Sequence, residues 1–447
     1  MRKKILYIPI GRKTFDLEAA EVQREKSLRY LHQIHKDVIQ PEGIITSPEE
    51  LEAFLSKVDR EAVMATIYQS VTFADAAFIQ NIIKKVSAPV IVWSVREPSI
   101  GGRLRLNSLT GGNSTCHFLR SEGHPYSFVY GNADESQVQE KLRKQLSVLK
   151  VIQRLQKLKI GVVGEYPPGF FFSDTDEQLL EKEIGPVVET FDLHKAFKES
   201  LEIPKNEYEN MISRAEKQVI GLNKNEETVK RFAQFSTYVE KEIQKKAISA
   251  LAIRCWPDFF NELGAAACST LSQFTEEGVV SACESDIHGS ISMFILRELA
   301  NGEAPYLGDM VHINEASNGA VFWHCGAGAY SLAHPAQGAQ AGVHPNRKLG
   351  FALDFGLKPG TVTLMRLSYT KADGFRILVM RGKALDTPQP FHGTSVEVEL
   401  ETNINETLYS LMDEGFEPHY ALVYADVVDE LIELGRQLGV ETKVYVR

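Results

Sequence analysis

The chain has 447 residues, more than one hydrophobic core usually organises, so we expect two or three domains. Its formal net charge of −10 argues against a nucleic-acid-binding protein, because phosphate neutralisation needs clustered lysine and arginine. The start MRKKILYIPIG has too short an apolar run for a signal peptide, and no apolar stretch reaches the roughly 18 residues of a membrane span, so we predict a cytoplasmic protein.

The first third of the chain alternates short apolar runs with amphipathic stretches. Residues 4–10, 62–70 and 88–95 are typical of buried strands, and residues 73–86 have apolar positions at helical spacing. This alternation predicts a parallel sheet covered by helices, the doubly wound α/β arrangement. The Gly- and Arg-rich segment 96–117 is predicted as a long loop, which inside a compact domain is usually functional or disordered.

A second α/β segment follows the first. Residues 136–159 predict a helix and residues 159–166 a new strand, so we place a domain boundary at residue 155. A charged helical stretch, residues 206–249, leads into another apolar strand at residues 249–256.

Beyond residue 305 the hydrophobic period changes to two, which is typical of antiparallel strands. The turn residues EASN and KADG each separate two alternating runs, a hairpin signal. An amphipathic helix and a short strand close the chain. We therefore predict two doubly wound α/β domains, residues 1–155 and 156–300, followed by a C-terminal antiparallel β-rich, barrel-like domain, residues 301–447.

Acidic residues follow two strands of the predicted central sheet. RCWPDFFNE carries Asp258 and Glu262, and SACESDIHG carries Glu284 and Asp286. Consecutive strands joined by a helix are usually neighbours, and ligands bind at the carboxyl ends of such strands, so Asp258 and Asp286 are expected close together. Strand geometry would put Glu284 and Asp286 on one face. Carboxylate oxygens together with one imidazole nitrogen are a donor set that suits Mn²⁺ or Mg²⁺. The alternative for Asp258 and Asp286 is that each caps the helix that follows it.

Sequence position alone does not identify which histidine supplies the imidazole ligand. His324, His344, His392 and His419 all lie near turns or strand ends, and a lone histidine is more often a structural hydrogen-bonding residue than a ligand. The number of cysteines, five, is odd and no CxxC pair occurs, so neither a disulfide framework nor a thiolate zinc site is predicted. A Cys325–His324 hydrolase pair is disfavoured, because adjacent strand residues point to opposite faces.

Five segments in order resemble the L-fucose/L-arabinose isomerases, especially the L-fucose isomerase-like branch: REPSIGGRLRLNSLTGG, RCWPDF, ACESDIHGS, FWHCGAG and GFEPHYALVYADV. The resemblance implies three domains and a Mn²⁺-type metal between the second and third, with Mg²⁺ or Co²⁺ as other candidates and no further cofactor. It also implies a homo-oligomer, a hexamer or a trimer-based assembly, in which a neighbouring subunit contributes first-domain residues to each site.

Carried over by position, the resemblance implies the metal ligands Asp258, Asp286 and His419, with the two aspartates also transferring protons. The family commonly has glutamate where Asp258 stands, so Glu262 is the substitute for that position. The expected substrate contacts are Arg103, Asn107, Trp256, Glu284, His288, His324 and Arg347.

The implied reaction is aldose–ketose isomerisation of an open-chain sugar through a cis-enediol, with the metal as Lewis acid and a carboxylate moving the proton from C2 to C1. The loops predicted to surround the site contain more lysine and arginine than binding of a neutral sugar requires. The guanidinium of arginine can donate two parallel hydrogen bonds to an oxyanion. The branch includes sulfoquinovose isomerases, so conversion of sulfoquinovose to 6-deoxy-6-sulfofructose is the first expectation. The alternatives are a neutral sugar such as L-fucose or L-arabinose, a non-catalytic sugar-binding protein of the same fold, and a metal-dependent lyase or aldolase.

Overall fold

The computed structural model describes residues 4–447, which form two compact units. The first unit runs to Gln153 and includes Arg436–Gly439, and the second comprises Arg154–Gly435 and Val440–Arg447. The division into three domains at residues 155 and 300 stays a prediction.

The first unit contains a five-stranded parallel sheet. Its strands are β1 (Lys4–Ile10), β2 (Val38–Ile39), β3 (Val63–Ser70), β4 (Val90–Ser94) and β5 (Tyr126–Tyr130), in the spatial order β2-β1-β3-β4-β5. The helices in this part of the chain are α1 (Leu17–Ile34), α2 (Pro48–Leu55), α3 (Ala77–Ile83), α4 (Ser108–Ser121) and α5 (Ser136–Leu155). Every residue of β3 and β4 is buried, so the apolar runs form the buried parallel strands that the sequence predicts.

Helix α4 corrects the prediction of a long loop over residues 96–117. The helix begins at Ser108 and includes Gly111 and Gly112, which the sequence places among turn residues. A side chain at Gly112 would clash with Oγ of Ser94, and one at Gly111 would come within 3.1 Å of the backbone nitrogen of Ala74. Close packing against the sheet therefore requires glycine here, and this tertiary contact outweighs glycine's poor helix propensity.

The rest of the chain supplies fifteen strands and eight helices of the described residues. The strands are β6 (Lys159–Val163), β7 (Val187–Phe191), β8 (Val219–Ile220), β9 (Ala250–Ile253), β10 (Val280–Cys283), β11 (Tyr306–Asn314), β12 (Gly319–His324), β13 (Ala339–Gly342), β14 (Ala352–Leu353), β15 (Phe355–Gly356), β16 (Gly360–Thr370), β17 (Gly374–Ala384), β18 (Thr394–Leu400), β19 (His419–Val423) and β20 (Glu441–Tyr445). The helices are α6 (Glu177–Glu183), α7 (Leu193–Leu201), α8 (Lys205–Glu216), α9 (Glu227–Lys246), α10 (Cys268–Glu276), α11 (Ile287–Leu299), α12 (Ile404–Asp413) and α13 (Val428–Leu438).

A second parallel sheet has the order β10-β9-β6-β7. Its strands β9 and β10 are neighbours in register, with Ile253 opposite Cys283 at their carboxyl ends. The segments after these two strands therefore leave the same edge of the sheet, as the sequence predicts.

The remaining strands form a mostly antiparallel sheet of order β15-β18-β12-β11-β19-β16-β17-β20. Because β17 also pairs with β18, six of these strands close into a barrel, with β15 and β20 added at the edges. The two α/β sheets and this barrel confirm the predicted fold class. A small sheet of β14, β13 and β8 completes the described strands.

Helix α11 connects the parallel sheet to the barrel and contacts both. Its neighbours are β9 and β10 on one side and β16 and β19 on the other, and most of its residues are buried. Because this helix is covered on both sides, polar side chains on it are buried too, and some have partners, as His288 does with Thr175 and Ser292 with the carbonyl of His288. Within residues 4–447, no helix has the length and apolar character needed to cross a membrane.

Candidate active site

The site begins at the loop after β10. The strand ends at Cys283, and the next two residues, Glu284 and Ser285, have positive φ angles of 59° and 54°. The expectation that Glu284 and Asp286 share one face of a strand is therefore wrong, because the chain has already left the sheet. Ser285 secures this left-handed turn: its N–H donates to the carbonyl of Ile253 and its hydroxyl to that of Gly164. Non-glycine residues held in this conformation are concentrated at functional sites.

Asp286 is fully buried and has three partners. Its Oδ1 accepts the N–H of Gly289 at 2.8 Å, so it caps α11, the role that sequence analysis left as the alternative. Arg366 donates to both carboxylate oxygens, at 2.5 and 3.1 Å, and Nδ1 of His419 lies 2.8 Å from Oδ2. Burial alone would raise the pKa of Asp286, but the charges and hydrogen bonds of Arg366 and His419 outweigh it and hold the pKa far below its ordinary value.

Arg366 is a functional candidate that sequence analysis missed. It lies in β16 with no exposed surface, and its Nε is 3.5 Å from Oε2 of Glu417 as well as facing Asp286. A signal was present in the sequence, because a charged residue in the middle of the apolar run TVTLMRLSYT must have a buried partner.

Four side chains converge in front of Asp286, and we call them the histidine–carboxylate cluster: Glu284, Asp309, His324 and His419. Nε2 of His419 lies 3.1 Å from Oε2 of Glu284 and 3.4 Å from Oδ1 of Asp309. Asp309 and His419 are direct partners across the antiparallel pair β11–β19, and His324 ends the adjacent strand β12. Ligand atoms of Asp309, His324 and His419 all lie within 4.8 Å of one another.

The hydrogen bonds of the two imidazoles fix their orientations. Nδ1 of His419 donates to the carboxylate of Asp286, and Nε2 faces Glu284 and Asp309. Nδ1 of His324 accepts the N–H of Cys325 at 3.0 Å, so the proton of this ring is on Nε2. Among the described residues neither Nε2 atom has a hydrogen-bond partner, although both are buried.

The electrostatics of the cluster favour an added cation. Burial disfavours the imidazolium of His419, but Asp286, Glu284 and Asp309 outweigh it and raise its pKa to about 10. Burial raises the pKa of Asp309. Two carboxylates and an imidazole nitrogen that gives up its proton to the ion are a donor set that Mn²⁺ or Mg²⁺ accepts, and a carboxylate behind the histidine is the usual support of such a ligand. The residues present therefore fit the metal that the resemblance implies.

The structure brings only one of the three expected ligands, His419, into this cluster with a free donor atom. Asp258 instead accepts two hydrogen bonds from Arg254, at 2.6 and 3.3 Å. Together with His194 and Glu262, which are 2.7 Å apart, it forms a separate and partly exposed group. Asp286 is hydrogen-bonded to Nδ1 of His419, and both of its carboxylate oxygens already accept hydrogen bonds from other groups. Asp309, in contrast, was missed, since nothing in its local sequence distinguishes it from an ordinary strand acid.

Aromatic side chains extend from the cluster to Arg347. The ring of Phe172 is 5.1 Å from that of His419, Phe170 is 5.3 Å from Phe172, and Trp256 is 5.2 Å from Phe170. The guanidinium of Arg347 lies 5.8 Å above the ring of Trp256. Within residues 4–447 no carboxylate is at ion-pairing distance from Arg347. The expected substrate contacts Trp256 and Arg347 are thus part of one wall.

The other expected substrate contacts lie elsewhere. His288, on α11, is buried, and its Nε2 is 2.9 Å from Oγ1 of Thr175; burial lowers its pKa to about 4, so it is neutral. Arg103 and Asn107 belong to the first unit. Arg103 donates to the carbonyl of Thr14 at 3.1 Å, and the N–H of Asn107 donates to Glu97 at 2.9 Å.

Known protein families match both ends of the chain. Residues 7–156 match the N-terminal domain of fucose/sulfoquinovose isomerases, and residues 346–445 match the C-terminal domain of L-fucose isomerase, together more than half of the chain. A protein of Priestia aryabhattai named sulfoquinovose isomerase is 63% identical over 442 residues, 99% of each chain. Proteins of the same name from Alkalicoccus urumqiensis and Clostridium sp. (strain MSTE9) are 56% and 37% identical, covering 97% and 99% of each chain. The chain is an isomerase and belongs to the fucose/sulfoquinovose isomerase family.

Proposed function

We propose that this protein is a metal-dependent aldose–ketose isomerase that converts sulfoquinovose to 6-deoxy-6-sulfofructose through a cis-enediol. The observation that carries the reaction is the position of Nε2 of His419, held towards Glu284 and Asp309 by the Asp286 carboxylate behind it. The names of the relatives support the substrate.

Glu284, Asp309 and His419 are the proposed ligands of a divalent cation, of which Mn²⁺ is the first candidate. When bound, the cation supplies Lewis-acid polarisation of the sugar carbonyl and stabilises the oxyanion charge that develops. Asp286 and Arg366 fix the tautomer and the orientation of His419. This set replaces Asp258 and Asp286 of the sequence prediction by Asp309 and Glu284.

The isomerisation moves one proton from C2 to C1 and one from O2 to O1, with no external oxidant or reductant. Asp309 is the proposed base for the carbon-bound proton, because its carboxylate, unlike that of Asp286, has no arginine at ion-pairing distance among the described residues. Burial raises its pKa and so makes it a stronger base towards the proton on C2. His324 presents its Nε2–H to the same space and donates a hydrogen bond to the sugar oxygens.

Arg347 is the proposed contact for the sulfonate. Arg254, the other arginine near this wall, is neutralised by Asp258, whereas Arg347 stacks over Trp256 and Phe260 without a carboxylate partner among the described residues. A planar guanidinium with free N–H groups suits a sulfonate, which has three acceptor oxygens.

A sugar panel tests the function directly. The purified enzyme with Mn²⁺ is incubated with sulfoquinovose, L-fucose, L-arabinose and D-arabinose, and products are followed by NMR. We expect a ketose from sulfoquinovose, and loss of turnover on chelation with recovery on adding Mn²⁺. Turnover of neutral sugars alone would refute the substrate, carbon–carbon cleavage products would indicate a lyase, and binding without turnover a sugar-binding protein.

The sulfonate contact has its own test. Arg347→Met removes two to three charge-assisted hydrogen bonds, so we expect KM for sulfoquinovose to rise roughly 10- to 100-fold with a smaller change in kcat. The control is Arg231→Met, which removes an arginine paired with Glu227 on α9. An unchanged KM in Arg347→Met would assign the sulfonate to another residue.

A further inference from the structure

Four of the five cysteines meet inside the second unit, and we call them the thiol cluster: Cys255, Cys268, Cys283 and Cys325. They come from the ends of β9, β10 and β12 and the start of α10, and each is between 1% and 6% exposed. Sγ of Cys268 lies 3.4 Å from Sγ of Cys325, which is itself 3.3 Å from Nδ1 of His324. Sγ of Cys283 lies within 4.8 Å of Sγ of Cys325 and also within 4.8 Å of Sγ of Cys255.

This arrangement goes beyond the packing of small apolar residues. The donor atoms of Cys283, Cys325 and His324 all lie within 4.8 Å of one another. In a tetrahedral zinc site with Zn–S bonds near 2.3 Å, ligand atoms are about 3.8 Å apart, so this spacing allows one ion to reach all three.

The thiol cluster and the histidine–carboxylate cluster have different donor chemistry although they share His324. Thiolates select soft cations such as Zn²⁺, whereas carboxylate oxygens select Mn²⁺ and Mg²⁺. Nδ1 is the ring nitrogen of His324 that faces Cys325, 3.3 Å from its Sγ, and it would exchange the N–H of Cys325 for the ion.

We propose that Cys283, Cys325 and His324 bind a thiophilic divalent cation of the Zn²⁺ class, with Cys268, 3.4 Å from Cys325, as the nearest candidate for a fourth donor. Each thiol that binds releases one proton to solvent, and no oxidant is needed. The ion ties the end of β10, next to Glu284, to the end of β12 in the barrel. The site does not depend on the proposed sugar or on the isomerisation.

Cobalt substitution tests the site without an activity measurement. Reduced, chelator-treated protein is titrated with Co²⁺, and the thiolate-to-cobalt charge-transfer absorption is recorded. We expect one equivalent to give this band and Zn²⁺ to displace it. The band should disappear in Cys283→Ser and Cys325→Ser and persist in Cys116→Ser, which changes the remaining cysteine in the first unit. It should also persist in Asp309→Asn, which alters only the carboxylate site.

The wild-type spectrum decides the matter even where a cysteine variant does not fold. Absence of the charge-transfer band in folded, fully reduced wild-type protein would overturn the proposal. So would a band that Asp309→Asn removes and Cys325→Ser retains. A Cys268–Cys325 disulfide found by mass spectrometry in protein purified with zinc and without oxidant would also overturn it, because those sulfurs would then be unavailable as donors.

Discussion

Asp309 faces His419 across two antiparallel strands, whereas Asp258 is held by Arg254. We therefore expect Asp309→Asn to lower kcat by about 10²- to 10⁴-fold, the usual contribution of a general base, while the thermal transition changes little. Asp258→Asn is the matched variant and should retain most of its kcat. Both are measured by NMR with saturating Mn²⁺ and sulfoquinovose. The reverse ranking would restore Asp258, the ligand expected from the sequence, and remove Asp309.

The buried, neutral His288 makes stability depend on pH. Its pKa is about 4 in the folded state and near 6.5 when unfolded, so between these values the unfolded chain binds the extra proton. The stabilising contribution is therefore complete above pH 6.5 and is lost as pH falls towards 4. Between pH 7 and pH 5 this histidine should lower the free energy of unfolding of the wild type by about 2 kcal/mol, and His288→Gln should not show that decrease. Urea unfolding at both pH values measures this difference, and parallel pH dependences would contradict it.

At the level of single residues, the sequence identifies some of the site and misses the rest for definable reasons. His419 was predicted because the GFEPHYALVYADV segment resembles a known family. Asp309 was missed because only the β11–β19 register, a long-range pairing, brings it to His419. Glu284 was put in a strand because a non-glycine residue at positive φ leaves no pattern in the sequence.

Among the elements, α11 carries the most sensitive position. Gly289 lies against the Asp286 carboxylate, and a methyl group there would clash with Oδ2. We expect Gly289→Ala to displace Asp286 from His419, weakening Mn²⁺ binding by roughly 10- to 100-fold, as for other losses of a carboxylate behind a metal ligand. Mn²⁺ titration followed by recovery of activity measures the effect.

Gly43→Ala is the control for Gly289→Ala, because no heavy atom lies within 4 Å of the added carbon in that case. Its Mn²⁺ affinity should equal that of the wild type. Normal affinity in Gly289→Ala would show that Asp286 does not govern the metal site.

Strands and helices with a clear period were predicted well, and elements decided by packing were not. The continuous apolar runs of β3 and β4 follow directly from the burial of both faces of these strands. Helix α4 was missed because its glycines are selected by close approach to the sheet, which a propensity argument cannot detect.

For the whole molecule, the three sheets follow from local periodicity, but barrel closure and the thiol cluster do not. Closure depends on the pairing of β17 with β18, and the thiol cluster joins cysteines from four separate segments. Both depend on long-range contacts, which the hydrophobic pattern of the sequence does not determine.

The oligomeric state is a further property of the whole molecule. We keep the proposal of a hexamer or trimer-based assembly with shared sites, and light scattering on the 50.0 kDa chain gives the number of subunits.

Shared sites predict that two inactive variants restore each other. If Arg103 or Asn107 from one subunit completes the histidine–carboxylate cluster of another, mixed oligomers of Arg103→Ala and Asp309→Asn contain intact sites. Equal mixing with subunit exchange should bring activity to roughly a quarter of the wild-type value, because each site draws its two contributions independently. Asp309→Asn mixed with Glu284→Gln is the control, since both changes lie in the same cluster and no combination of subunits gives an intact site. Activity that stays at the level of this control, in mixtures whose exchange is verified by mass spectrometry, would mean that each subunit builds its site alone.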